Sequence, residues 1–309
     1  HLEGRGRSSR IPESARRGFE LWRVQECTHD YNHSQYFGEG PEARTWEGYD
    51  AEAQTREAVK YIEDHKDAPF ALFLSWGPPH DPYLTAPERF RAQNPADKIQ
   101  LRANVPAAKA DDARRDQAGY YAHIQALDGY FGRIAECLER SGLAEDTLVV
   151  FTSDHGDMLY SHGMMKKQKP YDESIRVPFL LRYPRLLGRK GRTSDALINA
   201  PDIMPTLLGL CGVPAPGGVE GRDYSPVLRG EETDLPAILR DFGNKTRGED
   251  PVIHFYEHFL GAYNKKLKIQ RGVFYTPQPV VSYIVRSVHE LLQTEFGLAD
   301  GLPDTTTWG

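Results

Sequence analysis

Two short apolar runs do most to limit what this chain can become. Pro69-Phe-Ala-Leu-Phe-Leu-Ser-Trp76 and Thr147-Leu-Val-Val-Phe151 are continuous apolar stretches, each ended abruptly by polar residues. Runs of this length are short for a helix and suit strands of a parallel sheet buried on both faces. Between and around them the period changes. Asp50 to His65 places Ala53, Ala58, Val59 and Ile62 near one helical face, with acids in the first turn. Asp112 to Ser141 repeats the pattern at Ile124, Leu127, Phe131, Ile134 and Leu138, with Gly142 as its stop. A further strand is predicted over Val177 to Leu181 and a short helix over Ala200 to Leu210. The alternation of strand and helix predicts an α/β fold with a mainly parallel sheet.

In such sheets ligands collect beyond the C-terminal ends of the strands. The first run ends in Gly77-Pro-Pro-His80-Asp-Pro82 and the second in Ser153-Asp154-His155-Gly156. Residues remote in sequence are therefore expected to meet at one rim. The bulk properties add exclusions. The formal net charge of -6 gives no reason to expect nucleic acid or an anionic membrane as partner. No apolar stretch approaches the roughly 20 residues of a membrane span. Three cysteines, Cys27, Cys137 and Cys211, lie far apart and show neither a disulfide framework nor a zinc spacing. No signal peptide is visible from His1 onward.

Asp154 and His155 read either as turn chemistry after a strand or as metal ligands. Calcium takes roughly six to eight mostly oxygen ligands, and this segment offers one carboxylate and one imidazole. Asp111-Asp112 opens a helix and reads as a cap. Lys166 and Lys167 are either a solvated basic patch or a pair that neutralises an oxyanion. His162 is either a loop residue or a supporting hydrogen-bond donor. His80, between prolines, is suited to protonating a leaving group near neutral pH. His29, Asp30 and His33 have the composition of a metal cluster, but their spacing matches no zinc pattern and reads better as a structural loop.

Several of these segments, in this order, resemble the sulfatase family of the alkaline-phosphatase-like superfamily. The resemblance is carried by Ser75-Trp-Gly-Pro-Pro-His80-Asp-Pro-Tyr83, Phe151-Thr-Ser-Asp154-His155-Gly156 and Ser161-His-Gly-Met-Met-Lys-Lys167-Gln-Lys-Pro-Tyr-Asp-Glu-Ser174. It continues through Ile175-Arg-Val-Pro-Phe-Leu, Asp202-Ile-Met-Pro-Thr-Leu207 and Gly221-Arg-Asp-Tyr-Ser225, while Cys27-Thr-His-Asp-Tyr-Asn-His33 is similar to a loop of one bacterial branch. It covers roughly residues 18 to 234. The resemblance implies a three-layer sandwich and hydrolysis of a sulfate ester, on a sulfated small molecule or glycan, by a periplasmic or secreted enzyme. It implies that Asp154 and His155 are two calcium ligands, that Lys167 binds the sulfate, and that His80 contacts it and helps the leaving group depart. In the family the attacking group is a formylglycine hydrate made from Cys or Ser. A phosphoester or phosphonate hydrolase of the same superfamily is the alternative.

The chain departs from the family in two respects. No Cys-x-Pro-x-Arg or Ser-x-Pro-x-Arg stretch, the setting in which formylglycine is made, occurs anywhere in it. The aspartate pair after the first strand and a Gly-Lys-Trp-His-like segment are also missing. The expectation is an incomplete catalytic domain, residues 1–234, without its N-terminal part and without activity of its own. Residues 235–309 form a different unit, expected to be helical. Asp250-Pro-Val-Ile-His-Phe-Tyr-Glu-His-Phe-Leu and Arg271-Gly-Val-Phe-Tyr-Thr-Pro-Gln-Pro-Val-Val-Ser-Tyr-Ile-Val-Arg286 resemble N6-adenine DNA methyltransferases of restriction-modification type, in which the Tyr275-Thr-Pro277 turn lies near S-adenosylmethionine. Neither that family's cofactor loop nor its catalytic motif is present, so nucleic acid is a partner only if this likeness is functional. A seam between two joined gene fragments is expected near Glu231 to Ala237.

Overall fold

The computed structural model describes residues 10–25, 28–194, 196–231 and 293–294 of the 309. The chain divides into two compact units, His1–Arg229 and Gly230–Gly309. In the second, expected from sequence to be helical, Gln293 and Thr294 are helical. The remaining expectations for residues 235–309, and that for Cys27, lie outside the described residues.

The first unit opens with a small antiparallel pair, β1 (Gln35–Phe37) and β2 (Ala43–Thr45), with Gln35 opposite Thr45. Helix α1 (Asp50–Asp64) follows, then short α2 (Glu88–Arg91) and the 31-residue α3 (Ala110–Arg140). Strand β3 (Val149–Thr152) leads to α4 (Asp172–Ile175), β4 (Phe179–Arg182), α5 (Pro184–Leu187), α6 (Ala200–Leu210) and α7 (Ser225–Leu228). β3 pairs with β4 in antiparallel register, Val149 opposite Arg182 and Thr152 opposite Phe179.

The long helices form because their buried faces are built from small residues. Ala51 and Ile62 of α1 pack with Ala126, Leu127, Tyr130 and Cys137 of α3, and alanines let the two backbones approach closely. Ile124, expected on the buried stripe of α3, is instead 42% exposed. The stripe runs through Ala118, Ala122 and Ala126, which carry too little hydrophobicity to announce it. Asp111 and Asp112 are also not the cap. They lie in the first turn, where they favour the helix dipole and pair with Arg114 and Arg115.

The run at Pro69–Trp76 is extended but joins no ladder among the described residues. Its side chains alternate: Phe70 and Leu72 pack with Val149 of β3 against Ile62, Cys137 and Leu138, whereas Phe73 is 76% exposed. Both ladders among the described residues are antiparallel. The segment nevertheless does the expected positional work, because it shares the α1–α3 floor with β3 and delivers His80 to the same rim.

Candidate active site

Beyond Thr152 the ladder gives way to local side-chain bonds to the backbone of His155. Ser153 Oγ donates to the carbonyl of His155 at 2.9 Å, and Asp154 Oδ1 accepts from the His155 amide at 3.0 Å. The Gly156 amide then reaches the Ser174 carbonyl of α4 at 2.8 Å. His155 Nδ1 lies 2.8 Å from the Gly156 carbonyl, so it is the donor and the ring's lone pair is on Nε2. That lone pair faces Asp154 Oδ2 at 3.5 Å, an arrangement suited to a proton or a cation. Asp154 is itself 85% exposed. Among the described residues no group of three or more His, Cys, Asp or Glu side chains converges. One carboxylate and one imidazole are a partial donor set for an ion that wants six to eight oxygens, so these residues alone do not make a calcium site.

His80 is held from behind. Tyr31, fully buried, donates its hydroxyl to the carbonyls of His80 (2.9 Å) and Asp81 (3.2 Å). Gly77 is required beside it, since a Cβ there would lie 2.8 Å from Tyr31 Cε1. His80 Nδ1 faces the Asp81 carbonyl at 3.0 Å and Asp81 Oδ1 at 3.1 Å, which makes Nδ1 the donor. Nε2 accepts from the Lys167 ammonium at 2.5 Å, and Lys166 Nζ lies 3.4 Å from Asp81 Oδ2. His29 stacks on the His80 ring at 4.6 Å, and His155 meets it edge-on at 6.1 Å.

Of the four residues singled out by sequence, His80, Lys167 and His155 converge, and Asp154 adjoins them through the chain. The neighbouring residues were not singled out. His29 was grouped with Asp30 and His33, yet those two pair with each other at 3.2 Å while His29 turns to His80. Asp81, Tyr83 and Asp157 stood inside the quoted motifs without a role. No local signal marks them, because the partners that tie them into the site, Lys166 for Asp81 and the Tyr83–Asp157 and Lys166–Asp157 pairs, are 9 to 85 residues away. His162 stacks on Tyr171 at 4.4 Å and donates its amide to the Asn104 carbonyl, so it braces the lysine loop from outside.

The model of the family described as "Sulfatase" matches residues 7–213. The chain belongs to the sulfatase family. Among its relatives, an ulvan-active sulfatase of Formosa agariphila is 38% identical over 246 residues, covering 77% of this chain and 48% of the relative. An endo-4-O-sulfatase of Bacteroides thetaiotaomicron is 31% identical, covering 72% and 46% respectively. A solved Bacteroides thetaiotaomicron structure from work on glycosaminoglycan metabolism superposes with a TM-score of 0.68 at 30% identity, over 73% of this chain and 49% of that one. The fold is thus the alkaline-phosphatase-like α/β fold of the sulfatases, and the chain spans about half the length of the curated relatives it matches.

Proposed function

We propose that this sulfatase-family chain carries the sulfate-holding and leaving-group side of a sulfuric ester hydrolase site that acts on a sulfated sugar. The observation that carries the reading is the 2.5 Å contact between Lys167 Nζ and His80 Nε2, two groups 87 residues apart that meet at the strand-end rim. An ammonium at that place neutralises the non-bridging oxygens of a sulfate ester, and a charge-assisted hydrogen bond of this kind contributes about 1.5–3 kcal/mol. His80 Nε2, supplied by Lys167, would protonate the departing alkoxide. The proton it hands over is one shared with Lys167, with Nδ1 anchored on Asp81 so that the ring does not rotate. The sugar class is supported by the names of the two curated relatives, one ulvan-active and one an endo-4-O-sulfatase. Asp154 and His155 would contribute to a calcium site completed by other groups, with the ion polarising the sulfate.

The 309 residues contain no formylglycine-type motif. Turnover of 4-nitrophenyl sulfate by this chain is therefore expected to be undetectable, and turnover abolished by Asp154→Ala would overturn that. Binding tests the site itself. Calorimetric titration with inorganic sulfate is expected to show a site that Lys167→Met weakens about 10- to 100-fold. An unchanged isotherm in Lys167→Met would sink the reading. Tighter binding of inorganic phosphate than of sulfate would favour the phosphoester or phosphonate alternative.

A further inference from the structure

Between His155 and Lys167 the backbone takes an unusually costly route. Leu159, Tyr160, His162 and Lys166 have φ of 40°, 66°, 54° and 65°, and Gln168 follows at 67°. For residues with a Cβ the left-handed region costs of order 1 kcal/mol each, and such a path persists only where the surroundings over-determine it.

We infer that Asp157 is the positioning residue of this site, one carboxylate that holds the Lys167 arm and the His80 arm in register. The inference rests on the proposed sulfate-binding reading of those two residues. Asp157 Oδ1 accepts from the amides of Leu159 at 3.0 Å and Lys166 at 3.1 Å. The Lys166 carbonyl in turn accepts from the Met158 amide at 2.8 Å, so Lys166 is clamped at both of its backbone groups. Lys167 thus starts its side chain from a fixed point. Asp157 Oδ2 accepts from the Tyr83 hydroxyl at 2.7 Å. Tyr83 is buried, and burial together with Asp157 pushes its phenol well up, which keeps it a neutral donor. It stands three residues past His80 on the same rigid loop. That loop is backed by α3, where a Cβ on Gly119 would lie 2.4 Å from the Tyr83 carbonyl oxygen. Neither loop end can shift against the other without breaking a bond to this one side chain.

The test uses the full 309-residue chain. In sulfate-free buffer, the nuclear Overhauser contact between the Lys167 side-chain methylenes and the His80 ring is recorded for wild type, Asp157→Ala, Asp157→Asn and Tyr83→Phe. Inorganic sulfate affinity is measured on the same samples. Asp157→Ala is expected to lose the contact and about tenfold or more in sulfate affinity. His65, at the far end of α1, is expected to keep its signals. Asp157→Asn keeps an acceptor for the two amides and can donate to Tyr83, so it is expected to restore the contact. Tyr83→Phe removes one hydroxyl and is expected to weaken the contact, which preserves the test if the alanine variant does not fold. A wild-type contact in Tyr83→Phe, together with one in any folded Asp157→Ala, would overturn the inference. Loss of the His65 signals along with the contact in Tyr83→Phe would also overturn it, by showing general unfolding. Wild type that shows the contact but binds no sulfate would sink the functional reading while leaving the positioning role intact.

Discussion

Gly156→Ala is expected to cost about 3 kcal/mol or more of stability and to unseat the strand end that carries Asp154 and His155. A Cβ at position 156 would lie 2.1 Å from the Glu173 carbonyl oxygen and 3.0 Å from its carbon. Both are backbone atoms, so no side chain can swing aside to make room. The Gly156 amide also donates to the Ser174 carbonyl at 2.8 Å, and separation sufficient for a methyl group breaks that bond. α4 is poorly placed to retreat. The Glu173 carboxylate is tied to Asn104 Nδ2 at 2.8 Å and lies 3.8 Å from Arg102, and Ser174 Oγ accepts from the Lys169 amide at 3.4 Å. Displacement of α4 therefore drags the chain that holds Lys167. Urea denaturation measures the loss, and backbone resonances of Ser174 and Lys169 report the displacement. Gly132→Ala is the control, since nothing lies within 4 Å of its Cβ inside α3. There the better helix former is expected to stabilise by up to about 1 kcal/mol. A Gly156→Ala midpoint equal to wild type would show that α4 moves freely, and would remove the reason for a glycine at this position.

What the sequence disclosed and what it withheld divide along one physical line. Periodicity is local, so α1 was legible to within a residue, α6 was legible at both ends, and α3 was displaced by only two residues at its start. Strand ends were legible where apolar runs stopped, as at Thr152. Strand partners were not, because pairing joins residues about thirty positions apart, as in Val149 with Arg182, and nothing within Thr147–Phe151 specifies it. The site shows the same division. His80, Lys167, Asp154 and His155 have side chains whose chemistry declares itself. Asp157, Tyr83 and Tyr31 act by placing those groups. Their importance lies in distances of 2.7 to 3.2 Å across the fold, which composition does not encode. Gly156 was read as turn chemistry, and its close approach to Glu173 comes from a segment seventeen residues on.

Beneath the His80 loop two buried titratable groups are expected to cancel in the wild type and to emerge only when separated. Asp50, the first residue of α1, is buried, and its Oδ1 has no hydrogen-bond partner. Burial pushes its carboxyl up from 3.8 to about 6, against a weaker opposing hydrogen bond from Ser34. The folded state therefore holds a proton that the unfolded chain has released. This contribution to stability is fully present below pH 3.8 and is lost as pH rises through about 6. His123, fully buried on α3, is held by the Tyr49 hydroxyl at 2.6 Å, and burial pushes it down from 6.5 to about 4. Its contribution is fully present above pH 6.5 and is lost as pH falls through about 4. Each shift is a little over two units, or about 3 kcal/mol at 1.36 kcal/mol per unit. The windows overlap and the slopes oppose, so between pH 4 and 6 the pair leaves wild-type stability nearly flat. Asp50→Asn is expected to unmask His123, with stability relative to wild type rising by about 2 kcal/mol from pH 4 to pH 6, since part of each shift falls outside that window. His123→Asn is expected to give the mirror image, a relative fall of similar size over the same range. Urea unfolding at half-unit steps of pH reads both differences, and titrations common to all variants subtract out. Parallel profiles for wild type and both variants would show that neither group titrates on unfolding in this range. Opposed slopes would place a buried proton-binding pair directly behind the site, since the Asp50 amide donates to the Tyr31 carbonyl at 2.8 Å and His123 Nε2 faces the Pro82 carbonyl at 3.4 Å.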